Sequence, residues 1–277
     1  FAPVTLIARE PAGQAAQFSR KGRAAHVPSD QMLVLTSGKR ALLREAPLLF
    51  VGNVGMREYT RNELAGRVAV LLDGTRVDNT PANTTRQNQL LAQGASAVLT
   101  VLDGERTLDQ VRARRQRTSY ALGDESIGGD LEAFITRDAM AGLLKGTSRT
   151  LADLSAQAAR PDFVPVPLEL AVALEATTRE TTIRTHNLIG KLPGRRPEAG
   201  AVLLMSHWDH FGRCGDASGA DAICNGAIDN ASGVAGLTEV ARRLARGPQL
   251  ERDVYFVAST AEEQGLLGAH AFAENPP

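Results

Sequence analysis

The sequence predicts an α/β fold, a mixed and largely parallel sheet flanked by helices. Three observations carry this. Short runs rich in Val and Leu close on Gly or Asp-Gly, as strands entering turns do. Between them lie stretches of helical composition or helical spacing. In the last third of the chain the two kinds alternate as strand, helix, strand, helix, the order of a sheet covered by helices.

Taken in order, "LLFVG" (48–52), "GRVAVLLDG" (66–74) and "SAVLTVLDG" (96–104) read as strands closed by turns. "RQNQLLAQGA" (86–95) reads as a helix ending at a glycine, and "RDAMAGLLKG" (137–146) repeats that style. Residues 104–128 are polar and charged and read as loop and surface. A second region opens near Pro161 with extended strands over 162–194. "PGRRPEAG" (193–200) looks like a hairpin turn leading into the strand "AVLLMS" (201–206), which should bury Leu203 and Leu204. After a loop comes the helix "DNASGVAGLTEVARRLARG" (229–247), where Val234, Leu237, Val240, Ala241 and Leu244 fall at helical spacing. The strand "DVYFVAS" (253–259) and the helix "GLLGAHAFAEN" (265–275) follow.

Composition narrows the function classes. The 277 residues allow two domains or one large one, and 43% hydrophobic residues supply a core. With 31 basic and 31 acidic side chains the chain has no net field to draw nucleic acid or an anionic membrane. No apolar run has the length of a membrane span. Residues 1–15 lack the basic start and apolar centre of a signal peptide. Two cysteines, Cys214 and Cys224, are too few for a disulfide scaffold or a four-cysteine zinc site. They bracket a polar, glycine-containing loop, and a disulfide between them would stiffen it. The alternative is two free thiols in a reducing compartment.

The chemistry-bearing residues fall at strand ends. His207 and Asp209 follow strand 201–206, and Glu262 and Glu263 follow strand 253–259. Asp229 opens the helix that joins these strands. Ligands in such sheets bind beyond the carboxyl ends of the strands, so three separate positions converge on one cleft. Imidazole and carboxylate suit a metal such as zinc. Strand alternation puts His207 and Asp209 on one side, where Asp209 could hold the second ring nitrogen of His207. Asp229 could bridge two ions with its two oxygens. The adjacent Glu262 and Glu263 point in different directions, one to bind metal and one to stay free as a base. Each piece has a plain reading too: a polar loop, a helix start, a solvated acidic face. The order His207-x-Asp209-His210, Asp229–Gly233, Ala261–Gly265 makes the case for a site.

The stretches "SHWDHFG", "NGAIDNASGVAGLTEVARRL" and "RDVYFVASTAEEQGLLGAHAFAENPP" resemble the M28 family of zinc-dependent exopeptidases, mostly aminopeptidases. "THNLIGKLPG" is similar to the strand before that family's first metal motif. Residues near 36–164 resemble the protease-associated (PA) domain inserted in many members, and "FAPVTL" resembles the strand leading into it. The resemblance implies a leading strand segment at 1–35, a smaller α/β PA-like insertion at 36–164, and the peptidase core at 165–277. It implies two zinc ions: His207 on one, Glu263 on the other, Asp229 bridging both. Glu262 would be the general base and Asp209 would orient His207. It implies a peptide substrate, a cis peptide after Asp229, and a secreted or periplasmic location.

The chain departs from the family pattern as well. The resemblance implies two further ligands, an Asp and a His, downstream of the Glu pair. After Glu263 only His270 and Glu274 are available, and His270 falls within the helix as a surface residue. The expectation is a central portion of a longer enzyme, truncated at both ends, with an incomplete exopeptidase core. Such a portion by itself should be poorly occupied by metal and inactive. Two other readings stay open: a receptor or scaffold of the same fold without catalysis, and a carboxypeptidase or deacylase of related fold.

Overall fold

The computed structural model describes residues 1–53, 58–73, 82–102, 104, 106–123, 130–214 and 221–276, with backbone alone at 82–86. The strands are β1 (Ala2–Arg20), β2 (Arg23–Ala25), β3 (Met32–Thr36), β4 (Arg40–Asn53), β5 (Val68–Leu72), β6 (Ala97–Val101), β7 (Ser119–Leu122), β8 (Leu131–Ile135), β9 (Val166–Leu192), β10 (Ala201–His207) and β11 (Asp253–Ser259). The α-helices are α1 (Arg61–Leu64), α2 (Ala82–Ala92), α3 (Leu108–Arg115), α4 (Arg137–Leu144), α5 (Leu151–Ala158), α6 (Ser232–Arg246) and α7 (Leu267–Glu274). Parallel and antiparallel ladders are mixed, as the sequence predicts.

The chain forms two compact units. One comprises Phe1–Ala8, Ser119–Glu125 and Thr181–Pro277, the other Arg9–Thr118 and Ser126–Glu180. These bounds differ from the expected divisions at 35/36 and 164/165. The reason is local. β1 and β9 are single continuous strands that pass from one unit to the other, so no linker composition marks the change. The short strand β7 returns to the first unit, where Gly123 N–H donates to Thr5 O.

In the second unit, β4, β5, β6 and β8 run in that order, with parallel pairing from β4 through β8. The antiparallel strands β9 and β3 flank them. The Val- and Leu-rich runs are buried on both faces, as parallel strands under helices require: Val68, Ala69, Val70, Ala97, Val98 and Leu99 are all inaccessible or nearly so. The region read as loop, 104–128, contains α3 and β7 instead. A signal was present: Thr107 and Gln110 form a reciprocal cap, each side chain bonding the other's backbone N–H. α5 is closed by the same device from Thr150 and Asp153.

In the first unit, β10 pairs in parallel with β11, and β11 pairs antiparallel with the end of β9. The segment 193–200 is therefore not the turn of a β9–β10 hairpin, because β11 lies between those strands. It runs beside residues 250–253: Arg195 N–H donates to Leu250 O, Arg196 N–H to Glu251 O, and Gly194 N–H to Asp253 Oδ1. β10 ends the strand order and pairs on one side only among the described residues. Leu203 is 47% exposed and Leu204 half-buried, where both were expected to be buried. α6 occupies Ser232–Arg246 of the expected 229–247, since Asp229 and Asn230 are non-helical; Val234, Leu237, Ala241 and Leu244 are half-buried and Val240 exposed. The compact core of this unit gathers Val4, Leu6, Leu122, Ala261 and Leu267.

Candidate metal centre

β10 and β11 end together. Their register aligns His207 with Ser259, and Trp208 N–H extends the ladder to Ser259 O. Residues just beyond both strands thus leave the sheet at the same edge, where α/β folds bind ligands. Three of the expected side chains meet there. His207 Nε2 lies 3.0 Å from Asp229 Oδ1 and 3.6 Å from Glu262 Oε2. His207 is buried, Glu262 half-buried, and the Asp229 side chain 67% exposed.

The route to Asp229 is set by the backbone. Gly226 sits at φ +63°, and a Cβ there would stand 2.8 Å from Asp229 O and 2.9 Å from His210 Cγ, so only glycine fits. The peptide between Asp229 and Asn230 is cis, the conformation the family resemblance implies. Asn230 Oδ1 then accepts Gly233 N–H at 3.0 Å, satisfying a donor in the first turn of α6.

Glu262 and Glu263 are placed by the tight turn that follows β11. Gly265 and Leu266 N–H both donate to Glu262 O at 2.9 Å, and Leu267 N–H donates to Ala261 O. Ala261 enters this turn at φ +52°, a conformation that costs a side-chain-bearing residue about 1–3 kcal/mol and concentrates at functional sites. The turn is tied to the end of β10 by Asp209. Its Oδ1 accepts Glu262 N–H at 3.0 Å and its Oδ2 lies 3.4 Å from Glu263 N. Sequence reasoning expected this carboxylate on the second ring nitrogen of His207. The closer partner of His207 Nδ1 is instead the Asp209 backbone carbonyl, at 3.1 Å, while Oδ1 is 3.8 Å away.

Glu263 is reached from the other side. Its carboxylate, 9% exposed, lies 2.6 Å from Nδ1 of His210. His210 stood in the motif without a role, and no spacing rule connects it with a residue so distant in sequence. His270 is exposed on α7, as expected.

Cys214 and Cys224 are joined in a disulfide, with Cα atoms 5.7 Å apart. The bond closes a short antiparallel ladder: Cys214 N–H donates to Ala222 O, Cys224 N–H to Gly212 O, and Arg213 faces Ile223. Most of the polar loop between the cysteines, 215–220, lies outside the described residues. The cross-link sits on the chain between His210 and Asp229 and limits how far that segment can move.

Two donors about 2.0–2.1 Å from one zinc stand roughly 3.3 Å apart in a tetrahedral site and roughly 2.9 Å apart at right angles. The 3.0 Å between His207 Nε2 and Asp229 Oδ1 falls in that range. The donor chemistry, one imidazole and neighbouring carboxylates, also fits. Glu262 stands off, and among the described residues no group of three His, Cys, Asp or Glu side chains is arranged to hold an ion. His207 and Asp229 are therefore the pair that fits.

Residues 187–277 match the model of peptidase family M28. The chain is similar to the alkaline phosphatase isozyme conversion protein of Escherichia coli (strain K12), 34% identical over 103 residues that make up 34% of this chain and 29% of that protein. Among solved structures, an aminopeptidase from Aneurinibacillus sp. strain AM-1 aligns over 100% of this chain and 56% of its own, with 18% identity and a TM-score of 0.46. BSAP, a zinc aminopeptidase from Bacillus subtilis, aligns over 99% of this chain and 55% of its own, with 19% identity and a TM-score of 0.36. The chain thus spans less than a third of that curated relative and little more than half of these structures.

Proposed function

We propose, from the match of residues 187–277 to peptidase family M28, that this chain carries part of the active site of a metal-dependent exopeptidase acting on peptide amino termini. The observation that carries the reading is the meeting of His207 Nε2, Asp229 Oδ1 and Glu262 Oε2 within 3.6 Å of the imidazole nitrogen, where two parallel strands end.

His207 and Asp229 would hold a zinc ion; a second, on Asp229 and Glu263, is what the family resemblance implies. Bound metal would supply Lewis acidity, lowering the pKa of a water and polarising the scissile carbonyl. The remaining work falls to the chain. Glu262, half-buried and on a turn fixed by Asp209, accepts the proton of the attacking water. It returns that proton to the amine leaving as the peptide bond breaks. Asp229, largely exposed, presents its carboxylate outward. The burial of His207 and its contact with the Asp209 carbonyl keep Nε2 turned toward Asp229.

The disulfide favours an oxidising compartment and so an exported protein. No described helix is long and apolar enough to cross a membrane.

Substrate panels on the full-length protein test the reading. Aminoacyl-anilides with a free amino terminus should be hydrolysed, and the same compounds with a blocked amino terminus should not. Cleavage confined to carboxyl-terminal residues or to N-acyl groups would assign the site to a carboxypeptidase or a deacylase. No cleavage of any of these would assign the fold to a receptor or scaffold.

A further inference from the structure

We propose that His210 is a positioning residue for Glu263, holding one carboxylate oxygen so that the other is presented to metal. The inference rests on the metal-dependent reading of the site. His210 Nδ1 and Glu263 Oε1 lie 2.6 Å apart, a hydrogen-bond contact. In the proposal His210 is a partner of Glu263, and the variants below separate that role from a ligand's. In that role Nδ1 is the donor and the carboxylate oxygen the acceptor.

The surroundings make His210 a fixed donor. The absent side chain of Gly226 leaves the room its ring occupies, since a Cβ there would stand 2.9 Å from His210 Cγ and 3.0 Å from Cδ2. The Phe211 ring lies 5.1 Å away, tilted at 57°. Glu263 itself is 9% exposed, and a carboxylate withdrawn from water to that degree is costly without a donor. The neighbouring Asp209 anchors the backbone of the same turn at Glu262 N–H. Two successive residues of the strand end therefore divide the task. Asp209 fixes where the acidic pair sits, and His210 fixes which way the Glu263 carboxylate turns. Oε1 is committed to His210, and Oε2 is left for an ion.

Zinc affinity by chelator competition on the full-length protein tests this without reliance on turnover. His210→Phe keeps an aromatic ring and removes the donor. His210→Asn keeps a donor near the place of Nδ1. We expect zinc binding about 10–100-fold weaker in His210→Phe, and binding within about threefold of wild type in His210→Asn. If His210→Phe binds zinc as wild type does, the inference is wrong. Equal loss in both variants would make His210 a ligand and overturn it too. Should His210→Phe fail to fold, His210→Gln replaces it, because its amide is set one bond further out and misses Glu263. Asp229→Asn separates this inference from the reading beneath it. Zinc binding lost in Asp229→Asn but unchanged in His210→Phe overturns the role of His210 alone. No zinc binding by wild type, or wild-type binding in Asp229→Asn, overturns both.

Discussion

The carboxylate of Asp209 accepts the backbone N–H of Glu262 at 3.0 Å. One residue just past strand β10 thereby fixes the turn just past strand β11. This contact joins two motifs far apart in sequence and sets the position of the proposed base. Replacing Asp209 with Ala should leave two turn amides without their acceptor and let the acidic pair drift. The expected result is activity reduced by about 10–100-fold. Steady-state kinetics of the variant check it, and wild-type kcat/KM would show that the turn holds itself.

Glu262→Gln should separate proton transfer from metal binding. The amide keeps the size of the side chain and cannot accept the proton. Turnover should fall by at least about 10²-fold while metal content stays near wild type. Metal analysis beside kcat gives both readings, and an active variant would remove Glu262 from the role of base.

The disulfide between Cys214 and Cys224 should matter to stability. Closing a loop of this size restricts the unfolded chain by about 2–3 kcal/mol. The double variant Cys214→Ser, Cys224→Ser should therefore unfold at lower denaturant. An unchanged midpoint in a two-state denaturation would contradict this.

Asp253 provides a pH-dependent contribution in the same unit. The hydrogen bond from Lys191, at 2.7 Å, and then the Gly194 backbone N–H hold its carboxyl below the usual carboxylate range. A depressed folded-state pKa means that the contribution is present above the unfolded value of about 3.9 and is lost as pH falls through the folded one. Wild type should thus exceed Asp253→Asn in stability near neutral pH, and the gap should close below about pH 4. Denaturation curves between pH 2 and 7 test the sign; a gap that widens in acid would refute it.

Much of the first unit was legible because its elements follow local rules. The apolar spacing in α6 and the Val-rich run of β11 identify their structures without any tertiary contact. The approach of His207 and Glu262 was legible because they follow adjacent parallel strands, and Asp229 joins them from the segment that opens the helix between those strands. What was hidden depends on pairing order. β11 inserted between β9 and β10 turns an apparent hairpin into a crossing connection, and nothing in residues 193–200 encodes that. The boundaries of the two units were hidden because β1 and β9 pass between them unbroken. The exposure of Leu203 follows from the place of β10 at the end of the strand order, which no periodicity reveals. His210 was visible as a residue and silent as to role, since its partner is supplied by a different strand end.

Chelation and readdition of metal test the central claim most directly. Aminoacyl-anilide hydrolysis by the full-length protein should vanish on dialysis against a strong chelator and return on adding zinc. It should not return in Asp229→Asn. Hydrolysis that survives complete removal of metal would contradict the account.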